Sequence, residues 1–355
     1  MPNWSWWVPV LAVTLLVAAI IAGVGTVVAM LCAAALTGSV FAAVHHAEVV
    51  AHRVGEPFGT LLLAVAVTVI EASLILSMMF ADLEKGAAIA RDTIYAAVMI
   101  ICNGVIGVCV LVGSLAHREQ TFRVEGAGGG LAALIAMSAL SLVLPVFTTT
   151  TRTGTYSDSQ LAFAAVASIA LWAVFVFIQT VRHRDYFLPS ADAADPAVHA
   201  DPPSRRLAWA SFGLLLVSLV AVVGLAKMLS APIERVLAAV GAPQVMIGIV
   251  IAILVLMPET WAAVRAARAN RLQTSMNLAI GSALASIGLT IPVVVLAAIT
   301  FKVPLVLGLE PKDLVMLGLT FLVSAVTLGT GRTHMMQGAV HLVIFAAFLF
   351  LALVP

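Results

Sequence analysis

Polar residues fall in short clusters along this chain, and between them run apolar stretches of membrane-spanning length. These cover residues 7–22, 24–44, 57–80, 88–114, 128–147, 160–181, 207–229, 243–266, 274–300, 312–329 and 333–354. In lipid, each backbone N–H and C=O must be satisfied within its own segment, so each stretch is expected to be a helix. The pattern predicts an all-α polytopic membrane protein with about eleven transmembrane helices. Gly23 and Gly25 mark the tight joint between the first two.

Composition agrees with the pattern. Apolar residues make up 62% of the 355 positions and charged residues 10%, a surface that water would not solvate but a lipid bilayer would. A net charge of +1 offers nothing to a nucleic acid. The three cysteines, Cys32, Cys102 and Cys109, all lie in apolar runs and read as small buried hydrophobes.

The loops carry two further signals. Counting from the N-terminal side, loops on that side hold eleven of the eighteen Lys and Arg residues, against seven on the other. The excess predicts a cytoplasmic N-terminus and an outside C-terminus, in a bacterial inner membrane. The longest loop, RHRDYFLPSADAADPAVHADPPSRR (182–206), is rich in Pro, Ala and Asp and reads as a flexible linker on the cytoplasmic side. The expected organisation is an extra N-terminal helix (1–23), a five-helix repeat (24–181), the linker (182–206) and a second five-helix repeat (207–355). With an odd number of helices per half, the second half enters the membrane inverted. That arrangement is a transporter signature, with the ion site at the midplane where the halves meet.

Two acids interrupt the apolar spans. Glu71 sits in LLLAVAVTVIEASLILSMM and Glu259 in VMIGIVIAILVLMPETWAAV, whereas the other fifteen Asp and Glu residues fall in loops or at expected helix ends. Each buried acid costs roughly 2.5–3.5 kcal/mol at a helix centre. No Lys or Arg is placed mid-span to neutralise them, which leaves a cation or protons. Each acid lies on the second helix of its half, so the inverted topology brings them to equivalent places. Neutral oxygens follow on the next helices: Asn103 in VMIICNGVIGVCVLVGS, and Asn277, Ser282, Ser286 and Thr290 in QTSMNLAIGSALASIGLTIP. Thr68 lies one turn before Glu71 on the same face, and Pro258 frees the carbonyl of Leu254. Carboxylate, carbonyl and hydroxyl oxygens suit a hard cation such as Ca²⁺, and suit Na⁺ less distinctively.

The stretch HHAEVVAHRVGEPFGTLLLAVAVTVIEASLILSMM, together with MNLAIGSALASIGLTIP, resembles the bacterial ChaA-type Ca²⁺/H⁺ antiporters of the calcium/cation antiporter superfamily. The resemblance covers nearly the whole chain. It implies two repeats, each with a Gly-Asn-Ala-x-Glu element whose acids would be Glu71 and Glu259, here the metal-binding and proton-binding pair. It also aligns Asn103 with the Asn of the following helix, Gly281 and Ser282 with a Gly-Ser pair, and Ser286 with a common Gln. Both elements have diverged, to Val-Thr-Val-Ile-Glu and Val-Leu-Met-Pro-Glu, and both have lost the Asn. The implied activity is exchange of Ca²⁺ for H⁺ by alternating access, with no resident cofactor and no enzymatic step. The alternative within the same fold is Na⁺(K⁺)/H⁺ exchange.

A reading from another class rests on HHAEVVAH (45–52), whose His46, Glu48 and His52 are metal-ligand types. An intramembrane metal-dependent enzyme could use them, but the spacing is not that of His-Glu-x-x-His. A loop or antechamber at the cytoplasmic mouth is the expected role. His341, in the last span, is expected to be a satisfied buried histidine or a proton relay.

Overall fold

The computed structural model describes residues 2–55, 58–80, 85–187, 203–239, 241, 243 and 245–354. Its helices are α1 (Trp4–Ala22), α2 (Thr26–Val54), α3 (Phe58–Met79), α4 (Gly86–His117), α5 (Val124–Val146) and α6 (Asp158–Arg182), followed in the second half by α7 (Arg205–Ala239), α8 (Val245–Arg268), α9 (Leu272–Phe301), α10 (Pro311–Gly329) and α11 (Met335–Leu353). Among the described residues, ten are long and apolar enough to cross a membrane, and α3 is the eleventh apolar helix. Large apolar side chains such as Ile21, Phe163, Leu296 and Val343 point outward, as lipid-facing residues do.

Two boundaries differ from those expected. α2 runs ten residues past 44, so His45–His52 forms its last turns instead of a loop. The stretch has no Gly or Pro until Gly55, whose φ of 78° ends the helix. α7 likewise continues past 229, through Pro232, to Ala239. At about 1.5 Å per residue these helices reach about 44 and 53 Å, longer than a hydrocarbon core of about 30 Å, so they must tilt or project.

A two-residue ladder not expected from the sequence pairs β1 (Gln120–Thr121) with β2 (Arg332–Thr333) in antiparallel register, joining the α4–α5 and α10–α11 connections. The Gln120 amide donates to the Ala267 carbonyl at 2.9 Å and to Asn270 at 3.0 Å, which ties in the α8–α9 turn as well. Most of the expected linker lies outside the described residues. Its first part is docked: Arg184–Tyr186 forms a single 3₁₀ turn, and the Phe187 ring meets Phe175 edge-on at 5.8 Å.

The apolar interior divides into two clusters. One is built from α4 to α6 and α9 to α11, and the other from α1, α2 and α7. Helices α3 and α8 contribute to both: Ile75 and Leu256 to the first, Ile70, Leu74 and Val255 to the second. The two helices carrying the intramembrane acids therefore form the seam between the packing units.

Candidate cation site

On the seam, Glu71 of α3 and Glu259 of α8 line one cavity of about 140 Å³ with Thr68, Asn277, Gly281, Ser282 and Ser286. The pairing predicted from inverted halves thus brings both acids to one space. Glu71 is buried, and its Oε1 accepts a hydrogen bond from the Ser286 hydroxyl at 2.5 Å. Thr290, one turn along α9, lies beside the same carboxylate. Glu259 is placed differently: its Oε2 is buried and has no hydrogen-bond partner, and α8 runs through Pro258 without a break. The Thr68 hydroxyl is also buried without a partner. The cavity therefore holds two carboxylates, one anchored and one with an unmet acceptor, and hydroxyls able to supply further oxygen.

Its walls include side chains that the sequence did not single out. Trp172, Phe175 and Gln179 of α6 are among them. Gln179 lies in a π turn, Ile178–Arg182, and its amide in an otherwise apolar stretch was the available signal. Asn277 lines the cavity too, but its amide is engaged: it accepts from Gln273 at 2.9 Å and donates to the Phe187 carbonyl at 2.6 Å. That bond fastens the start of the inter-repeat connection to α9.

Asn103 and His341 do not line this cavity. They meet in a separate polar cluster between α4, α10 and α11. Within His45–His52, His46 parts from Glu48 and His52. His46 is buried, and its Nε2 meets the Ser5 carbonyl at 2.8 Å, so it pins α1 to α2. Glu48 and His52 are exposed, with Glu48 within electrostatic reach of Glu259 and Arg265. Helical geometry gives the reason: Glu48 and His52 lie one turn apart on an exposed face of α2, and His46 points to a different, buried side. Among the described residues, no three His, Cys, Asp or Glu side chains are grouped to hold a metal ion.

Comparison with known families decides the class. The family described as sodium/calcium exchanger protein matches residues 24–181 and 210–354, most of the chain. The chain belongs to this exchanger family. The sodium-potassium/proton antiporter ChaA of Escherichia coli (strain K12) is 34% identical over 318 residues, covering 88% of this chain and 85% of ChaA. A putative ionic transporter, y4hA, of Sinorhizobium fredii (strain NBRC 101917 / NGR234) is 47% identical over 359 residues, covering 100% of this chain and 97% of its own. Among solved structures, the Ca²⁺/H⁺ antiporter protein YfkE superposes with a TM-score of 0.74 at 17% identity, covering 99% of both chains, a likeness of fold. The exchanger is thus a multi-pass membrane cation antiporter of the calcium/cation antiporter superfamily, and the relatives it matches are transporters.

Proposed function

We propose that the exchanger swaps Ca²⁺ for protons, and that Glu71 and Glu259 are the groups over which the two compete. The observation that carries this proposal is that two carboxylates share one small cavity with no Lys or Arg among the described residues of its lining. Both acids ionised would place about two negative charges in a low dielectric, a state that needs a divalent cation beside it. Protonation of the pair removes the attraction and releases the ion. Cation and protons then occupy the same oxygens in turn, which makes their exchange obligatory.

The roles follow from the surroundings. Ser286 fixes the Glu71 carboxylate, Glu259 supplies the movable acceptor, and Thr68 and Ser282 add neutral oxygens. Alternating access is assigned to the α1–α2–α7 layer moving against the remainder, with α3 and α8 as the seam. The proposal retains the two five-helix repeats at 24–181 and 207–355, an inner-membrane location and a cytoplasmic N-terminus.

Monovalent exchange is the second reading. The 34% identity with a sodium-potassium/proton antiporter supports it, as does the absence of both motif Asn residues. One assay separates the two. The protein is reconstituted in liposomes with an acidic interior and the potential clamped, and a ΔpH dye is followed as CaCl₂, NaCl or KCl is added outside. Proton release on Ca²⁺ addition, lost in Glu71→Gln and Glu259→Gln, supports the first reading. A response to Na⁺ or K⁺ alone selects the second. Silence toward all three cations from folded protein removes both.

A further inference from the structure

His341 is buried in α11, and both of its ring nitrogens are engaged: Nδ1 lies 3.2 Å from Asn103 Oδ1 and Nε2 lies 3.0 Å from Thr327 Oγ1. Asn103 Nδ2 in turn donates to Thr320 Oγ1 at 2.8 Å. These contacts set the proton positions. The Asn103 amide nitrogen is used toward Thr320, so its oxygen must accept, and His341 therefore carries its proton on Nδ1. Nε2 is then an acceptor, and the Thr327 hydroxyl donates to it. The Cys102 carbonyl also lies against the ring. The result is a neutral imidazole with a complete set of partners.

The backbone has been shaped for this contact. Asn103 sits in the π turn Ile100–Val105 of α4. A Cβ at Gly107 would come within 3.0 Å of the His341 Cβ, and one at Gly338 within 2.6 Å of the Leu111 nitrogen, so glycines let α11 close onto α4. The turn that carries Asn103 also packs against α8, the helix of Glu259.

The two halves of the site are unequal as a result. Glu71 is held by Ser286, from the helix that follows Glu259's own. Exchanging the halves asks for a partner to Glu259 from α4, the helix that follows Glu71's, and Asn103 is the carboxamide in its middle. In this structure that amide is held by His341 and Thr320, while Glu259 Oε2 has no partner. Moving the π turn by one residue would swing Asn103 about 100° around the axis of α4.

We propose that His341 is a positioning residue for exchange, holding the Asn103 carboxamide off Glu259 so that the site is completed only when this clamp opens. The proposal rests on the antiporter reading above. A ligand that binds only the open-clamp state sees its affinity reduced by the fraction of time the clamp is closed.

The test is the half-saturating cation concentration for proton release in proteoliposomes, using whichever of Ca²⁺, Na⁺ or K⁺ drives the wild type. His341→Leu should lower that concentration about fivefold, the population shift that one ordinary hydrogen bond commands. Thr320→Val, which removes the other hold on the amide, should lower it too, and keeps the test open if His341→Leu fails to fold. In the Asn103→Ala background the His341 substitution should have no further effect. A folded His341→Leu or Thr320→Val whose half-saturation is unchanged or raised overturns the proposal. So does a fall that persists without Asn103, as a packing role would give. Wild-type exchange that is lost in Glu71→Gln establishes the antiporter reading in the same experiment, so failure of the clamp and failure of that reading are told apart.

Discussion

At the residue scale, Glu71 and Glu259 stood out because a carboxylate in an apolar run is costly unless something offsets it. Thr68 could be chosen because it lies one turn before Glu71, and Ser282 and Ser286 because they are neutral oxygens on the helix after that of Glu259; all three line the same cavity. Trp172 was not legible, and Gln179 only as an amide in an apolar stretch, since α6 reads as a plain lipid-facing span and its packing against α9 is a matter of tertiary structure. The diversion of Asn103 was hidden for a similar reason: it depends on a π turn and on Thr320 and His341, more than two hundred residues away. Ser286→Ala removes the hydroxyl that holds Glu71. Hydrogen bonds to charged groups are worth about 1.5–3 kcal/mol, so its half-saturating cation concentration should rise by about tenfold or more. Because protons compete for the same carboxylates, that concentration should fall as pH rises in the wild type. A titration of proton release between mildly acid and mildly alkaline pH checks the sign.

At the scale of elements, hydropathy located the spans well, because the cost of leaving a backbone group unsatisfied in lipid applies to every residue of a span. It shortened α2 because His45, His46, Glu48, His52 and Arg53 look like a polar loop when read as composition. The absence of a breaker before Gly55 is what lets the helix run on. Close helix approach was legible only as scattered glycines, and the structure separates those that matter. A Cβ at Gly338 would come within 2.6 Å of the Leu111 nitrogen in α4, a backbone atom that cannot rotate away. Gly338→Ala should therefore destabilise the protein by about 1–3 kcal/mol, visible as a lower midpoint in detergent thermal unfolding. Gly128→Ala, where nothing lies within 4 Å, should leave the midpoint in place.

At the scale of the whole molecule, the odd number of helices expected in each repeat was the reason to expect the two acids in equivalent positions. The seam between two packing units could not be read that way. It emerges from which faces of α3 and α8 are buried against which neighbours. Orientation in the bilayer rests on the Arg and Lys distribution and has a direct check. The three native cysteines are buried, whereas Asn3 and Val354 are exposed near the two ends. Single Asn3→Cys and Val354→Cys variants in intact cells should differ toward a membrane-impermeant maleimide. Val354→Cys should react at once and Asn3→Cys only after permeabilisation.

If cation and protons share one pair of carboxylates, cation binding must release protons, without any transport step. The purified exchanger in weakly buffered detergent near neutral pH would be titrated with CaCl₂, NaCl and KCl while a pH electrode follows the solution. The cation that binds should expel protons from the wild type, and Glu71→Gln and Glu259→Gln should expel fewer or none. Saturable cation binding with no proton release would contradict the sharing of carboxylates.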